Sequence, residues 1–134
     1  MPVVDASVLV AVLAGGEHVG WAERQLSAAG TRSALWAPHL IDAEVGHSLR
    51  RLVASGVLED NRAAAGIRDL EGFSLRRIVH TGLLDRAWQL RHNLSFYDGL
   101  YVALSEQLGM SLLTLDARLA KAAAAAGIDV LTAP

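Results

Sequence analysis

The stretch Val3-Val4-Asp5-Ala6-Ser7-Val8-Leu9-Val10 opens on two β-branched apolar residues, then carries a carboxylate before the next apolar run. It reads as a short buried strand ending in Asp5, with a helix starting at once. In open α/β sheets, ligands bind in the crevice beyond the carboxyl ends of the strands. Asp5 therefore stands where a site would be. The competing role is an N-cap for the helix carrying Val8, Leu9 and Val12, since Asp is a favoured cap.

Outward from this point, helical and strand patterns alternate. Helices are expected over residues 6–13, stopped by Gly15-Gly16, and over 18–29. The next is expected from Pro38, which suits a first helical turn, to about Gly56, with Ile41, Val45, Leu49 and Leu52 as its stripe. Others are expected over 59–70 and from a Thr81 cap to about His92, with Leu84, Trp88 and Leu90 as the apolar face. The last two are expected from Ser95 to Gly109, with Leu100, Ala103, Leu104 and Leu108 facing inward, and over 116–126. Strands are expected at 3–4, 35–37, 75–80, 111–114 and 129–131. This order predicts an α/β chain with a parallel sheet between two helical layers.

At 134 residues and 52% hydrophobic, the chain suits one domain over 1–134 with a real core. It has no cysteine, which excludes disulfides, thiolate metal sites and a cysteine nucleophile. A net charge of −2 is not the basic signature of many nucleic-acid binders. Eleven of the twelve basic residues are nonetheless Arg, the side chain best shaped to grip phosphate. No basic segment precedes an apolar core at the N-terminus, and no apolar run reaches the ~18 residues of a membrane span. A soluble, cytoplasmic protein without a membrane partner is expected.

Three further acids stand out. Glu44 lies in the stripe of Leu40, Ile41 and Ser48, where a charge is costly unless paired or bound to metal. Pairing with a neighbouring Arg is its alternative. Asp42, on the same helix, points more to solvent and is given no role. Asp98 follows Ser95 in a capping-box-like spacing and gains from the helix dipole. Asp116 repeats the arrangement of Asp5, with a strand, an acid and a helix, and could be another cap. If their strands are neighbours, Asp5 and Asp116 face one crevice. Carboxylates so gathered raise one another's pKa, and a hard divalent cation relieves the repulsion. All-oxygen ligation suits Mg2+ or Mn2+, which support in-line phosphodiester displacement. The chain has no H-E-x-x-H, Walker A or G-x-S-x-G motif, and its five histidines are scattered.

Four segments together resemble the PIN domain, and more narrowly the VapC toxins of bacterial toxin–antitoxin systems. They are Val4-Asp5-Ala6-Ser7; Pro38-x5-Glu44-Val45-x3-Leu49-Arg50-Arg51; Tyr97-Asp98-x2-Tyr101-Val102-Ala103-Leu104-x-Glu106; and Leu113-Thr114-x-Asp116-x-Arg118-Leu119. The resemblance implies a three-layer α/β/α sandwich on a mainly parallel sheet of about four to five strands. It also implies an Mg2+-dependent endoribonuclease, with Mn2+ able to substitute. Asp5, Glu44, Asp98 and Asp116 would form an acidic quartet at the metal, with Asp5 and Asp98 as ligands, Glu44 completing the site or positioning water, and Asp116 further off. Ser7 is placed to hydrogen-bond a ligating carboxylate or the phosphate; an ordinary helix-start hydroxyl is its alternative. The implied partners are RNA, a VapB-type antitoxin, and a second copy in a homodimer or toxin–antitoxin hetero-oligomer. In such proteins the helices corresponding to 53–72 often clip substrate or antitoxin. Arg50, Arg51, Arg76, Arg77, Arg86, Arg91, Arg118 and Lys121 are candidates to meet RNA or an acidic antitoxin tail.

Attack by a metal-activated water predicts 5′-phosphate and 3′-hydroxyl ends, whereas 2′,3′-cyclic phosphate would require the ribose 2′-OH. Two alternatives stand beside this reading. One is a catalytically inactive PIN fold that binds protein or RNA. The other is a haloacid-dehalogenase-like phosphatase, which wants a second Asp where this chain has Ser7.

Overall fold

The computed structural model describes residues 2–30 and 35–134. The chain runs β1 (Pro2–Val4), α1 (Ala6–Ala14), α2 (Val19–Gly30), β2 (Leu35–Pro38), α3 (Leu40–Ala54) and α4 (Asp60–Glu71). It continues as β3 (Leu75–Ile78), a 3-10 turn (Thr81–Leu83), α5 (Leu84–Gln89), α6 (Phe96–Leu108), β4 (Ser111–Leu113), α7 (Ala117–Ala125) and β5 (Val130–Leu131). All strand pairs are parallel, in the order β3-β2-β1-β4-β5. The chain builds outward from β1 to β3, then returns to lay β4 and β5 on the other side. The reversal falls between β1 and β4, where Val3 pairs with Leu112 and Val4 with Leu113. Such a switch point opens a crevice at the carboxyl ends of its strands.

The result is the expected α/β/α sandwich. Helix α6 lies on β1, β2 and β4 with α5 packed against it, while α1, α2, α3 and α4 pack together as the opposite layer. Val3, Val4, Leu112 and Leu113 are buried, as parallel strands covered on both faces must be. The stop after α1 is made by Gly15 and Gly16, whose φ values of +81° and +140° are strained for residues with a Cβ.

Helix α6 is more deeply enclosed than its sequence periodicity suggests. Residues 99–105 are all buried, so the expected single face of Leu100, Ala103, Leu104 and Leu108 is too narrow. The helix is held between the sheet and α5. A Cβ on Gly99 would meet the Ala87 carbonyl oxygen at 3.1 Å and its Cα at 3.2 Å. Both obstacles are backbone and yield little. Gly99→Ala is therefore expected to cost about 1–3 kcal/mol, read as a lower urea midpoint with an unchanged m-value.

Several local expectations are corrected. Pro38 closes β2 rather than opening α3, which begins at Leu40. Its missing N–H is harmless at a strand's end. Strand β3 stops at Ile78, short of His80, and Thr81 enters a 3-10 turn whose N-cap, His80, makes no side-chain cap bond. That turn leaves α5 only six residues long, touching the core through Ala87. Trp88, expected inside, is consequently 57% exposed. Asp42 is not an idle surface acid. Its carboxylate accepts from Arg77 Nε at 2.6 Å and Nη2 at 2.9 Å, and Nη2 also donates to the Leu70 carbonyl at 2.9 Å. This fork ties α3 to β3 and to the last turn of α4. Among the described residues, no helix is long and apolar enough to cross a membrane.

Candidate active site

Asp5 leaves β1 at the switch point, with its backbone N–H bonded to the Leu113 carbonyl of β4 at 3.1 Å. It occupies the N-cap position of α1 but makes no side-chain cap bond, so the capping alternative fails. Its carboxylate instead accepts from Ser7 Oγ at 2.5 Å and from Thr114 Oγ1 at 2.9 Å. Ser7 Oγ in turn accepts from Leu115 N, and Thr114 Oγ1 from Asp116 N. Each hydroxyl has one proton and aims it at Asp5. The 3.4 Å approach between the two hydroxyls is therefore a contact without a proton to share. The ends of β1 and β4 are thus knotted together through the Asp5 carboxylate.

Glu44 lies on α3, half-buried, and accepts from Tyr101 Oη of α6 at 2.6 Å. Its partner is a phenol, not the arginine considered as an alternative. Tyr101 is 1% exposed and lies one turn beyond Asp98. Asp98 sits in the first turn of α6, where Ser95 Oγ accepts its backbone N–H at 3.1 Å and leaves its carboxylate over the crevice. Asp116 caps α7: Oδ1 accepts from Arg118 N at 2.9 Å and Leu119 N at 3.2 Å. The cap reading holds for Asp116, yet its charge still acts on Asp5 and Asp98.

The electrostatics follow from this crowding. Burial pushes the Asp5 carboxyl up to about 7, against the two hydroxyl bonds that favour its charge, and the charges of Asp116 and Asp98 push the same way. Burial also raises Glu44, with Tyr101 opposing and Asp98 adding. Asp98 is raised by burial and then by Asp116, with Ser95 and Arg118 opposing. Tyr101 is raised too, by burial and the Glu44 charge, so it stays a donor. Among the described residues, no group of three or more His, Asp or Glu side chains stands close enough to hold one ion as placed. Asp5 and Glu44 are turned to hydroxyl donors and Asp116 to its helix. The chemistry of the set still fits a hard cation: every donor is oxygen, and the mutual repulsion is only weakly compensated.

Two residues of the site were missed as individuals in the sequence. Thr114 is fully buried and orients Asp5; its signal was a hydroxyl at a strand's end, two residues before an acid. Tyr101 orients Glu44; its signal was its place one turn after Asp98. Of the expected arginines, Arg77 is bound to Asp42 and Arg86 forks onto Glu106 at 2.8 and 2.9 Å, so both are paired within the chain.

A parallel three-layer α/β/α sandwich with acids converging on the switch point defines a class of acid-lined α/β proteins. Residues 3–125 match the PIN domain family, and the chain belongs to it. It is closely related to mycobacterial VapC-type ribonucleases: it is 46% identical to ribonuclease VapC1 of Mycobacterium tuberculosis over 121 residues, covering 90% of this chain and 89% of that one. Among solved structures it resembles M. tuberculosis VapC20, described as a sarcin–ricin-loop-cleaving toxin, with a TM-score of 0.70, 20% identity and 96% of each chain covered. It also resembles VapBC2 of Rickettsia felis bound to a promoter DNA fragment, with a TM-score of 0.69, 11% identity and 97% and 96% coverage. At those identities the two structures speak for the fold.

Proposed function

We propose that this chain, as a single PIN domain over residues 1–134, is an Mg2+-dependent endoribonuclease toxin of a VapBC-type system, with Mn2+ able to substitute. The observation that carries the reading is Asp5: a carboxylate 6% exposed at the switch point, on which the charges of Asp116 and Asp98 act and no cation among the described residues does. A protein has little reason to bury such a group unless something positive joins it.

Asp5 and Asp98 are the ligands proposed for the ion, with Glu44 completing the set and Asp116 contributing charge from further away. When bound, the ion would neutralise charge on the phosphate and acidify the attacking water. Ser7 and Thr114 each hold one oxygen of Asp5 and so fix its orientation. Tyr101 does the same for one oxygen of Glu44 and leaves the other to face ion or water. The close relation to VapC ribonucleases supports RNA as substrate, a VapB-type antitoxin as partner, homodimer or hetero-oligomer assembly, and a cytoplasmic setting.

A binding module without activity is the second reading, favoured by the spread of the four carboxylates. Incubation of the purified, antitoxin-free protein with total cellular RNA separates the two. The nuclease reading expects cuts with Mg2+ or Mn2+, none with EDTA, and 5′-phosphate ends. Cyclic phosphate ends would refute hydrolysis by water, and intact RNA from a protein that binds Mn2+ would favour the binding module.

A further inference from the structure

The acidic quartet raises a difficulty for its own substrate. Even with one divalent ion bound, four ionised carboxylates leave the site net negative, and a phosphodiester is an anion. Something positive has to hold the strand there. Among the described residues, Arg118 is the cation whose charge acts on this group of acids, through Asp98. It lines a cleft of about 140 Å³ together with Asn93, Leu94, Ser95, Asp98 and Asp116. Among the described residues its guanidinium has no hydrogen-bond or ion-pair partner. Its backbone is nevertheless fixed, because Asp116 Oδ1 holds Arg118 N at 2.9 Å.

Six of the other candidate cations are placed elsewhere. Arg77 and Arg86 are committed to Asp42 and Glu106. Arg91 lies over Trp88 at 4.5 Å and bonds its carbonyl, and Arg76 lies over Trp36 at 5.1 Å. Arg51 faces a separate groove between α1 and α3, and Arg50 one between α3 and α4.

We infer that Arg118 grips the phosphate next to the one that is cut, while the adjoining nucleotide enters the cleft beside Asn93 and Ser95. The inference rests on the ribonuclease reading and deepens it. The guanidinium offers a fork of donors suited to a phosphate. A cleft of about 140 Å³ matches the size of one sugar–phosphate unit, so the segment inferred to enter it is single-stranded or looped. Single strands are where most sequence-specific RNA recognition occurs.

The test is binding of a fluorescent random-sequence RNA 12-mer pool, with Ca2+ replacing Mg2+, over a series of salt concentrations, alongside Mn2+ affinity and RNA cleavage. Arg118→Gln is expected to bind about tenfold more weakly, with a log–log salt slope shallower by about 0.7, the value of one phosphate contact on a single strand. Arg118→Lys should restore the slope but only part of the affinity, and Arg24→Gln, at an exposed arginine of α2 in the opposite helical layer, should leave both unchanged. Mn2+ affinity should be kept or tightened in Arg118→Gln, because a cation has left the site. The inference is overturned if Arg118→Gln matches the wild type, if Arg24→Gln loses as much, or if Mn2+ affinity falls, which would make Arg118 a support for the acids. If the wild type cuts and binds RNA while Arg118→Gln matches it, only the inference fails. If the wild type takes up Mn2+ but neither binds nor cuts RNA, the ribonuclease reading fails and the inference goes with it.

Discussion

Asp98→Asn is expected to lower metal-dependent RNA cleavage at least ~10³-fold, about 4 kcal/mol of barrier, while leaving the fold intact. The second half of that expectation comes from the geometry. What anchors the start of α6 is the backbone N–H of Asp98 on Ser95 Oγ, which the substitution does not touch. The side chain is half-buried and faces the crevice, so an amide of the same shape fits. What is lost is one negative charge from a group of four, and with it one of the ligands proposed for the ion. Mn2+ affinity should therefore drop in parallel with cleavage. Full cleavage by this variant would remove Asp98 from the site; lost cleavage with unchanged Mn2+ affinity would give it a role other than holding metal.

The second large effect concerns stability and pH. In the metal-free chain the Asp5 carboxyl is raised to about 7 from an ordinary 3.8, chiefly by burial. The folded chain therefore holds this proton more tightly than the unfolded chain does. The stabilisation is complete below the unfolded value and is lost as pH rises through the folded one. Between about pH 4 and 7 the loss amounts to about 4 kcal/mol. Burial raises Glu44 and Asp98 as well, so they act in the same direction.

Asp5→Asn removes the ionisation at Asp5. One of Ser7 and Thr114 must then turn its proton away from the new amide NH2, at about 1 kcal/mol. The variant should be more stable than the wild type by about 3 kcal/mol at pH 8 in EDTA, roughly 10 °C in Tm, and no more stable at pH 4. Saturating Mn2+ should close the gap by stabilising only the wild type. Urea titrations at the two pH values with EDTA, repeated with Mn2+, decide the matter. Parallel pH profiles for the two proteins would show that Asp5 is not the buried charge responsible.

The pair of results has a common cause. On the proposed reading, the carboxylate whose charge destabilises the fold would be the same one that a bound cation stabilises. Stability given up at Asp5 would reappear as affinity for a positive group, and its neighbours Ser7, Thr114 and Leu115 hold it in place.

The sequence by itself determined the alternation of strand and helix, the parallel sheet, and the strand-end positions of Asp5 and Asp116. These depend on local periodicity, on β-branched runs and on acids set between a strand and a helix, all of which act over a few residues. Asp98 and Glu44 were legible because each breaks or begins an apolar helical stripe. The family resemblance added their joint meaning. Only the tertiary structure decided that β1 and β4 are neighbours, which brings the two strand-end acids within reach of each other's charge. It alone distinguished Asp5, which does not cap, from Asp116, which does. It paired Glu44 with Tyr101 across 57 residues of sequence and Asp5 with Thr114 across 109. It also committed Arg77 to Asp42 while leaving Arg118 facing the acids. Strand order, hydroxyl partners and the choice among arginines are long-range facts. They are set by which surfaces are buried against each other, and no window of local sequence contains both halves of such a contact.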